Sequence, residues 1–274
     1  MARGRVSTAM IRRLDGHGET VRPDKLVVEE PMEIRLDDHR VATTMRTPGH
    51  DYELAVGFCL TEGLLAGAPV RTVRYCATAP ASDTAFNVVT VSTDGLAPVP
   101  EPRLQTSTSS CGLCGSASIG DLRKRLAPLP RPLPAVDVDA LARAAAATRA
   151  RQELFEQTGS IHAAAVFDPA SGDVSLIRED IGRHNAVDKI IGRLHLDGQL
   201  PATGLGLFVS GRASFEIIQK AWAGGFPLLV AVSGPSGLAV ETAREAGMVL
   251  VGFLRGTAAN IYAPQPGLGT AAAG

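Results

Sequence analysis

No apolar run in this chain is long enough to span a bilayer, which excludes a helical membrane span. A secretory signal is not expected either: Met1 to Asp15 is basic but lacks an apolar core. That stretch reads as the beginning of a disordered lead-in over residues 1–23. Charge of one sign is not in excess. Lys and Arg number 27 against 28 Asp and Glu, a net charge of −1, so no global field draws the chain to nucleic acid or membrane. Cysteine is sparse: four in 274 residues do not make a disulfide scaffold, and a reducing cytoplasm is the expected compartment. Cys59 and Cys76 lie in apolar surroundings and read as buried small hydrophobes. Aromatic residues are only 4% of the chain. A Walker sequence, a dinucleotide fingerprint and internal repeats are all absent.

What the chain does have is Cys111-Gly112-Leu113-Cys114-Gly115, set in the serine- and threonine-rich run Thr106 to Ser118. Ile119, Leu122 and Leu126 follow at helical spacing. The spacing therefore predicts the pair just ahead of a helix N-terminus, where the dipole favours a thiolate. A thiolate is a nucleophile for sulfur chemistry and a ligand for soft metals. Structural zinc needs four ligands, and no second C-x-x-C or H-x-x-x-H is present. Zinc deamination needs H-x-E followed by P-C-x-x-C. Here His162-Ala163-Ala164 lacks the glutamate and follows the cysteines. A thioredoxin-like motif would sit in a β-α-β unit, whereas this pair lies in a polar loop between two units.

The first unit, residues 24–105, reads as a small α+β domain. Glu30 to Met45 has the alternation of a hairpin turning at Asp37-Asp38-His39. Tyr52 to Leu60 reads as a helix, and Val70 to Tyr75 and Phe86 to Val91 as strands. Pro98, Pro100 and Pro102 mark a boundary. The second unit, residues 106–262, reads as a three-layer αβα domain, so the chain as a whole is α/β. An alanine-rich helix is predicted from about Val138 to Glu156. His162 to Phe167 and Val174 to Ile177 read as paired strands, and Val187, Ile190, Ile191 and Leu194 share a helix face. A β-α-β-α-β run then follows, with strands at Gly204–Ser210, Leu228–Val232 and Met248–Leu254 and helices at Ser214–Trp222 and Leu238–Ala246. That order implies parallel strands with right-handed crossovers. Residues 263–274 read as a loose tail.

Two loops follow these strands and open helices: Ser210-Gly211-Arg212-Ala213-Ser214 and Ser233-Gly234-Pro235-Ser236-Gly237. Ligands of open α/β sheets bind beyond strand C-termini, and helix N-termini attract anions. The loops are therefore candidate phosphate sites, with Arg212 as a charged contact. Their other reading is simply tight β-α turns. A third element, Gly252 to Ala258, could line the same crevice. Arg178 to Asn185 is unusually polar for a strand-to-helix junction. It is either a capped ion-pair cluster or a substrate wall with His184 as proton carrier. Arg46 to Asp51 divides in the same way between helix capping and a ligand loop. His162, among alanines, reads as a core histidine.

Together these segments resemble the formate dehydrogenase accessory sulfurtransferases, the FdhD family. The matching pieces are Thr44-Met-Arg-Thr-Pro-Gly-His-Asp51, Cys111-Gly-Leu-Cys114-Gly and the long run Glu179-Asp180-Ile-Gly-Arg183-His184-Asn185-Ala-Val-Asp188-Lys189. Ser210-Gly211-Arg212-Ala-Ser214-Phe215-Glu216, Lys220-Ala221 and Gly252-Phe253-Leu-Arg255 through Asn260-Ile261-Tyr262 complete it. The likeness covers about Glu29 to Tyr262. It implies a cytoplasmic homodimer that accepts sulfur from a cysteine desulfurase as a cysteine persulfide. That sulfur would pass to bis-molybdopterin guanine dinucleotide before the cofactor enters formate dehydrogenase. Cys111 would carry the persulfide, with Cys114 as second cysteine of less settled role. Phe253, Leu254, Arg255, Gly256, Thr257 and Ala258 align with the part assigned to the cofactor, and Gly211, Arg212 and Ser233 would join them. Guanosine diphosphate would bind as a fragment. The αβα unit would resemble cytidine deaminase without its activity. The alternative is a cofactor chaperone whose cysteines only grip the metal.

Overall fold

The computed structural model describes residues 4–76, 86–100, 126–131 and 134–264. Cys111, Cys114 and, of the stretch after them, Ile119 and Leu122 lie outside the described residues, as does the tail from residue 265. The chain opens with β1 (Val6–Asp15) and β2 (Gly18–Val27), which pair antiparallel as a separate two-stranded ribbon. This corrects the expected disordered lead-in over residues 1–23. Asp15 pairs with Gly18 across a tight turn, and the register runs unbroken back to Val6 opposite Val27. Backbone pairing along that length makes the strands without an apolar core.

The hairpin expected next is present as β3 (Glu30–Leu36) and β4 (His39–Arg46). With β5 (Thr72–Tyr75) and β6 (Val88–Ser92) they form a four-stranded sheet in the order β4-β3-β6-β5. One face holds Met32, Ile34, Leu36, Val89 and Val91. Helix α1 (Asp51–Thr61) lies on it through Leu54, Ala55 and Cys59, all fully buried.

The second sheet has six strands in the order β12-β11-β10-β9-β7-β8. Strands β9 (Gly206–Val209), β10 (Leu228–Ala231) and β11 (Val249–Arg255) run parallel, as the β-α-β-α-β pattern requires. Strands β7 (His162–Phe167) and β8 (Val174–Asp180) form an antiparallel hairpin at one side. Strand β12 (Ala258–Ala263), which the sequence reading lacks, pairs antiparallel with β11 at the other. Helices α4 (Arg183–Leu196), α5 (Phe215–Ala223) and α6 (Gly237–Ala246) cover one face through Ile190, Ile217, Ile218 and Ala243. Helix α2 (Val138–Ala150) covers the other through Leu141 and Ala144. Along β10, Leu229 faces the first layer while Leu228 and Val230 face the second. A strand buried on both faces reads as a continuous apolar run for this reason.

The alanine-rich helix ends earlier than expected. It breaks at Arg151–Gln152, and a short α3 (Glu153–Thr158) follows. The cause lies far away in sequence: the Glu179 carboxylate accepts the Leu154 and Phe155 N–H groups, both at 2.9 Å, and so starts a new helix there. The two units meet where α1 crosses α4. A Cβ on Gly57 would stand 1.9 Å from the Asp188 carbonyl oxygen, and one on Gly192 would stand 1.8 Å from that of Glu53. Only glycines permit this approach. Among the described residues, no helix is long and apolar enough to cross a membrane.

Candidate functional site

Most of the charged motif residues turn out to be the seam between the two units. Arg46 is fully buried and pairs in a fork with Asp51, Nε to Oδ1 at 3.1 Å and Nη2 to Oδ2 at 2.9 Å. Asp51 also accepts from Gly49 N–H and the Tyr75 hydroxyl, both at 3.1 Å. Lys189 Nζ reaches Asp180 Oδ2 at 2.7 Å and donates to the Thr47 carbonyl at 3.0 Å. Asp180 receives the Thr47 N–H at 3.2 Å, and Asn185 Nδ2 donates to the Met45 carbonyl at 2.8 Å. A buried charge needs such pairing to be tolerated at all. So Arg46, Asp51, Asp180, Asn185 and Lys189 join β4, α1, β8 and α4, while the Glu179 carboxylate caps α3, and the capped ion-pair reading holds for this run.

A second buried cluster closes the other end of α1. Lys220 Nζ contacts Asp188 at 2.9 Å, Glu62 at 3.3 Å and Thr61 Oγ1 at 2.9 Å. Burial alone would lower the Lys220 pKa, but the Asp188 and Glu62 charges outweigh it and hold the ammonium above its usual range. Asp188, crowded by burial and by Glu62, is pushed up to about 6 despite Lys220.

The remaining motif residues gather at the carboxyl edge of the parallel strands. Ser233 N–H donates to the Gly211 carbonyl at 3.4 Å, and Phe253 N–H donates to the Ser233 carbonyl at 3.3 Å. The three loops are therefore stitched side by side. The Phe253 ring lies against Gly234, where a Cβ would come within 2.6 Å of it, and Phe253 is 45% exposed with φ +53°. A bulky residue held in the left-handed region marks a local constraint. Arg212 is exposed. Leu254, placed among the crevice residues by the sequence reading, turns inward instead. It is 4% exposed and packs in the core beneath α2, because the irregularity between Gly252 and Arg255, with Phe253 at φ +53°, breaks the alternation and returns Leu254 to the face of Val249 and Val251. Arg255, Gly256, Thr257 and Ala258 are exposed at the turn from β11 into β12.

His184 is buried with Nε2 3.3 Å from Ser214 Oγ and 3.8 Å from Glu216. Burial, with the Arg183 and Lys220 charges, lowers it to about 4, so it is neutral at pH 7. His162 is not a core residue. It is half-buried, it faces the Gly211 backbone beside Arg183, and burial and the Arg183 charge lower its pKa. It also borders a cavity of about 470 Å³. Ala145, Phe155, Ile161, Ile181, Phe208 and Val232 supply the apolar lining, and Arg149, Gln152, Ser160 and Ser210 the rest of the polar one. Sequence reading missed this cavity because its lining is drawn from α2, α3, β7, β9 and the ends of β8 and β10, with no shared motif. Among the described residues, no three His, Cys, Asp or Glu side chains are placed to hold a metal ion.

The FdhD/NarQ family model matches residues 27–267. The chain belongs to the FdhD/NarQ family. It is 48% identical over 264 residues to the sulfur carrier protein FdhD of Streptomyces avermitilis, covering 93% of each chain. It is 45% identical to that of Nocardia farcinica, covering 99% of this chain and 98% of the relative. The crystal structure of a protein described as a formate dehydrogenase accessory protein, from Desulfotalea psychrophila, superposes with a TM-score of 0.74. Identity there is 20%, covering 94% of this chain and 97% of that one, and the likeness carries the fold. The family match runs through both units, and the seam residues are what makes its long central motif so polar.

Proposed function

We propose that this protein is a sulfurtransferase that carries sulfur as a persulfide on Cys111 and delivers it to bis-molybdopterin guanine dinucleotide for formate dehydrogenase. The observation that carries the reading is the family match, with relatives named sulfur carrier protein FdhD aligned over nearly the whole chain. The fold adds support by elimination. Cys59 and Cys76 are buried, and burial with the Asp188 charge pushes the Cys59 thiol far up. A buried thiol is poorly placed to exchange sulfur with a partner protein.

In the first step the Cys111 thiolate attacks the outer sulfur of a desulfurase persulfide. A new S–S bond forms, the desulfurase thiolate leaves, and the sulfane sulfur has moved without net oxidation. In delivery, Cys114 attacks the inner sulfur of the Cys111 persulfide. The outer sulfur departs as sulfide to the cofactor, and a Cys111–Cys114 disulfide remains for a dithiol reductant to open. The anionic cofactor would rest at the stitched loops of Gly211, Ser233 and Phe253, with Arg212 at its phosphates. The molybdenum centre is cargo and supplies the site that takes the sulfur.

Mass spectrometry after incubation with a cysteine desulfurase and cysteine tests the reading. A one-sulfur adduct is expected on Cys111, lost in Cys111→Ala together with activation of the client dehydrogenase. An adduct that persists in the variant and maps to Cys59 or Cys76 overturns the assignment. Cofactor binding with no adduct on the wild-type protein would favour the chaperone alternative.

A further inference from the structure

We propose that the outer edge of β1 is a docking site for an acidic, extended segment of a partner protein, which joins the ribbon as a third strand. The inference does not rest on the sulfur reading. The family model begins at residue 27, so the ribbon lies almost wholly outside it. Two strands alone are marginal in water, and a third strand makes such a sheet stable. The ribbon nevertheless runs ten residues on each side in unbroken register, with no third strand among the described residues.

Hydrogen-bond parity shows which backbone groups are on offer. Val28 N–H donates to the Arg5 carbonyl at 3.0 Å, so the Arg5 backbone faces the second strand, and direction alternates from there. The odd-numbered residues of β1 turn their backbone groups towards β2. Thr8, Met10, Arg12 and Leu14 turn theirs outward, each with one N–H and one C=O. The other edge of the ribbon is closed by comparison. Pro23 stands opposite Met10 and has no N–H to give an incoming strand, and helix α3 lies against β2. Proline and a covering helix are ordinary ways to blunt an edge, and β1 has neither.

The side chains choose the occupant. Met10 and Leu14 are 67% and 76% exposed, and Val21, opposite Arg12 and so on the same face, is 65% exposed. They suit alternate apolar side chains on an added strand. Arg12 and Arg13 are neighbours and therefore point to opposite faces. Two successive carboxylates on the incoming strand would meet one arginine each, which is a favourable cross-strand pairing. The acids already near them are Glu19, 3.3 Å from Arg12, and Asp15, 3.8 Å from Arg13. Both are exposed pairs of little energy, free to yield. A basic strand at this edge would set like charges opposite each other, which is unfavourable.

The probe is a fluorescein-labelled peptide, Ser-Thr-Val-Glu-Glu-Val-Val-Thr, titrated into the intact protein, with a Lys-Lys counterpart as the second arm. The Glu-Glu peptide should bind, more weakly as salt rises, and should move the backbone amide resonances of β1. Met10→Pro removes one outward N–H while sparing the β1–β2 bonds, and should weaken binding about fivefold or more. Val21→Pro does the same on the β2 edge and should leave binding unchanged. The double variant Arg12→Glu with Arg13→Glu should reverse the preference to the Lys-Lys peptide, and it carries the test should Met10→Pro unfold the ribbon. Equal binding of the two peptides, or no binding of the Glu-Glu peptide, would overturn the proposal. So would equal losses in Met10→Pro and Val21→Pro. A concentration-dependent dimer in sedimentation that Met10→Pro abolishes would overturn it too, by giving the edge to a second copy of this chain. None of these outcomes touches the persulfide assignment.

Discussion

Glu53 shows how a single carboxylate can report on the joint between the two units. It stands on α1 and takes both Arg178 nitrogens from β8, with Nη2 to Oε1 at 2.8 Å. Burial by itself would raise its pKa, but the Arg178 hydrogen bonds and charge, with His50, outweigh burial and lower it to about 2 from the ordinary 4.5. A carboxylate depressed in the folded state adds stability that is complete above pH 4.5 and disappears as pH falls through about 2. Glu53→Gln should therefore unfold more easily at pH 7, by about 2 kcal/mol for two charged hydrogen bonds. Its gap to the wild type should narrow below pH 4.5 and close towards pH 2. Urea midpoints across that range measure it, and a gap that does not change with pH would refute the role of the charge. Nothing in the sequence pairs Glu53 with Arg178: residue types were legible, but partners 125 positions apart were not. The same holds for Thr47 with Asp180 and for Thr61 with Lys220. Thr47, Arg178, Asp180 and Lys220 stood out in the sequence while Glu53 and Thr61 did not, and only the fold brings them together.

Helices and strands were far more legible than their partners, because periodicity is a local property. The face of Val187, Ile190, Ile191 and Leu194 is buried as read, and the parallel run of β9, β10 and β11 follows from alternating apolar segments. Two boundaries failed for long-range reasons. The helix after Val138 divides because Glu179 caps a new start, and β12 exists because β11 offers it an edge. The α1–α4 crossing was likewise invisible, since a glycine inside a helix shows no sign of what it touches. Gly57→Ala and Gly192→Ala each place a methyl inside the backbone of the opposite helix. Each should destabilise the protein by about 3 kcal/mol, the upper end of ordinary overpacking. Gly237→Ala, at the first position of α6 with nothing within 4 Å of its added Cβ, is the control. It should be neutral or gain about 0.5 kcal/mol from a less flexible unfolded chain. Equal effects at Gly57 and Gly237 would show that the helices can separate at little cost.

Sequence composition suggested two units divided near a proline cluster, and beside the β1–β2 ribbon the structure has a four-stranded and a six-stranded sheet. Their independence is another matter. Helix α1 belongs to the first unit by chain order, yet it is covered on one side by the four-stranded sheet and on the other by α4. Leu54, Ala55 and Val56 are all fully buried in consequence. Both ends of the helix are also fastened, by Arg46, Asp51 and Lys189 at one and by Glu62, Asp188 and Lys220 at the other. Pulling the units apart would expose α1 and strand buried charges without partners, which is costly. The two should therefore unfold together, in one cooperative transition whose calorimetric and van't Hoff enthalpies agree. Residues 24–100 made alone should fail to fold, because α1 would present its α4 face to water. The cysteines lie in the segment that runs from the first unit to the second, so a rigid joint fixes both of its anchoring ends. Two resolved transitions in scanning calorimetry, or a folded 24–100 fragment, would show instead that the joint is loose and that the ends of the cysteine segment move relative to each other.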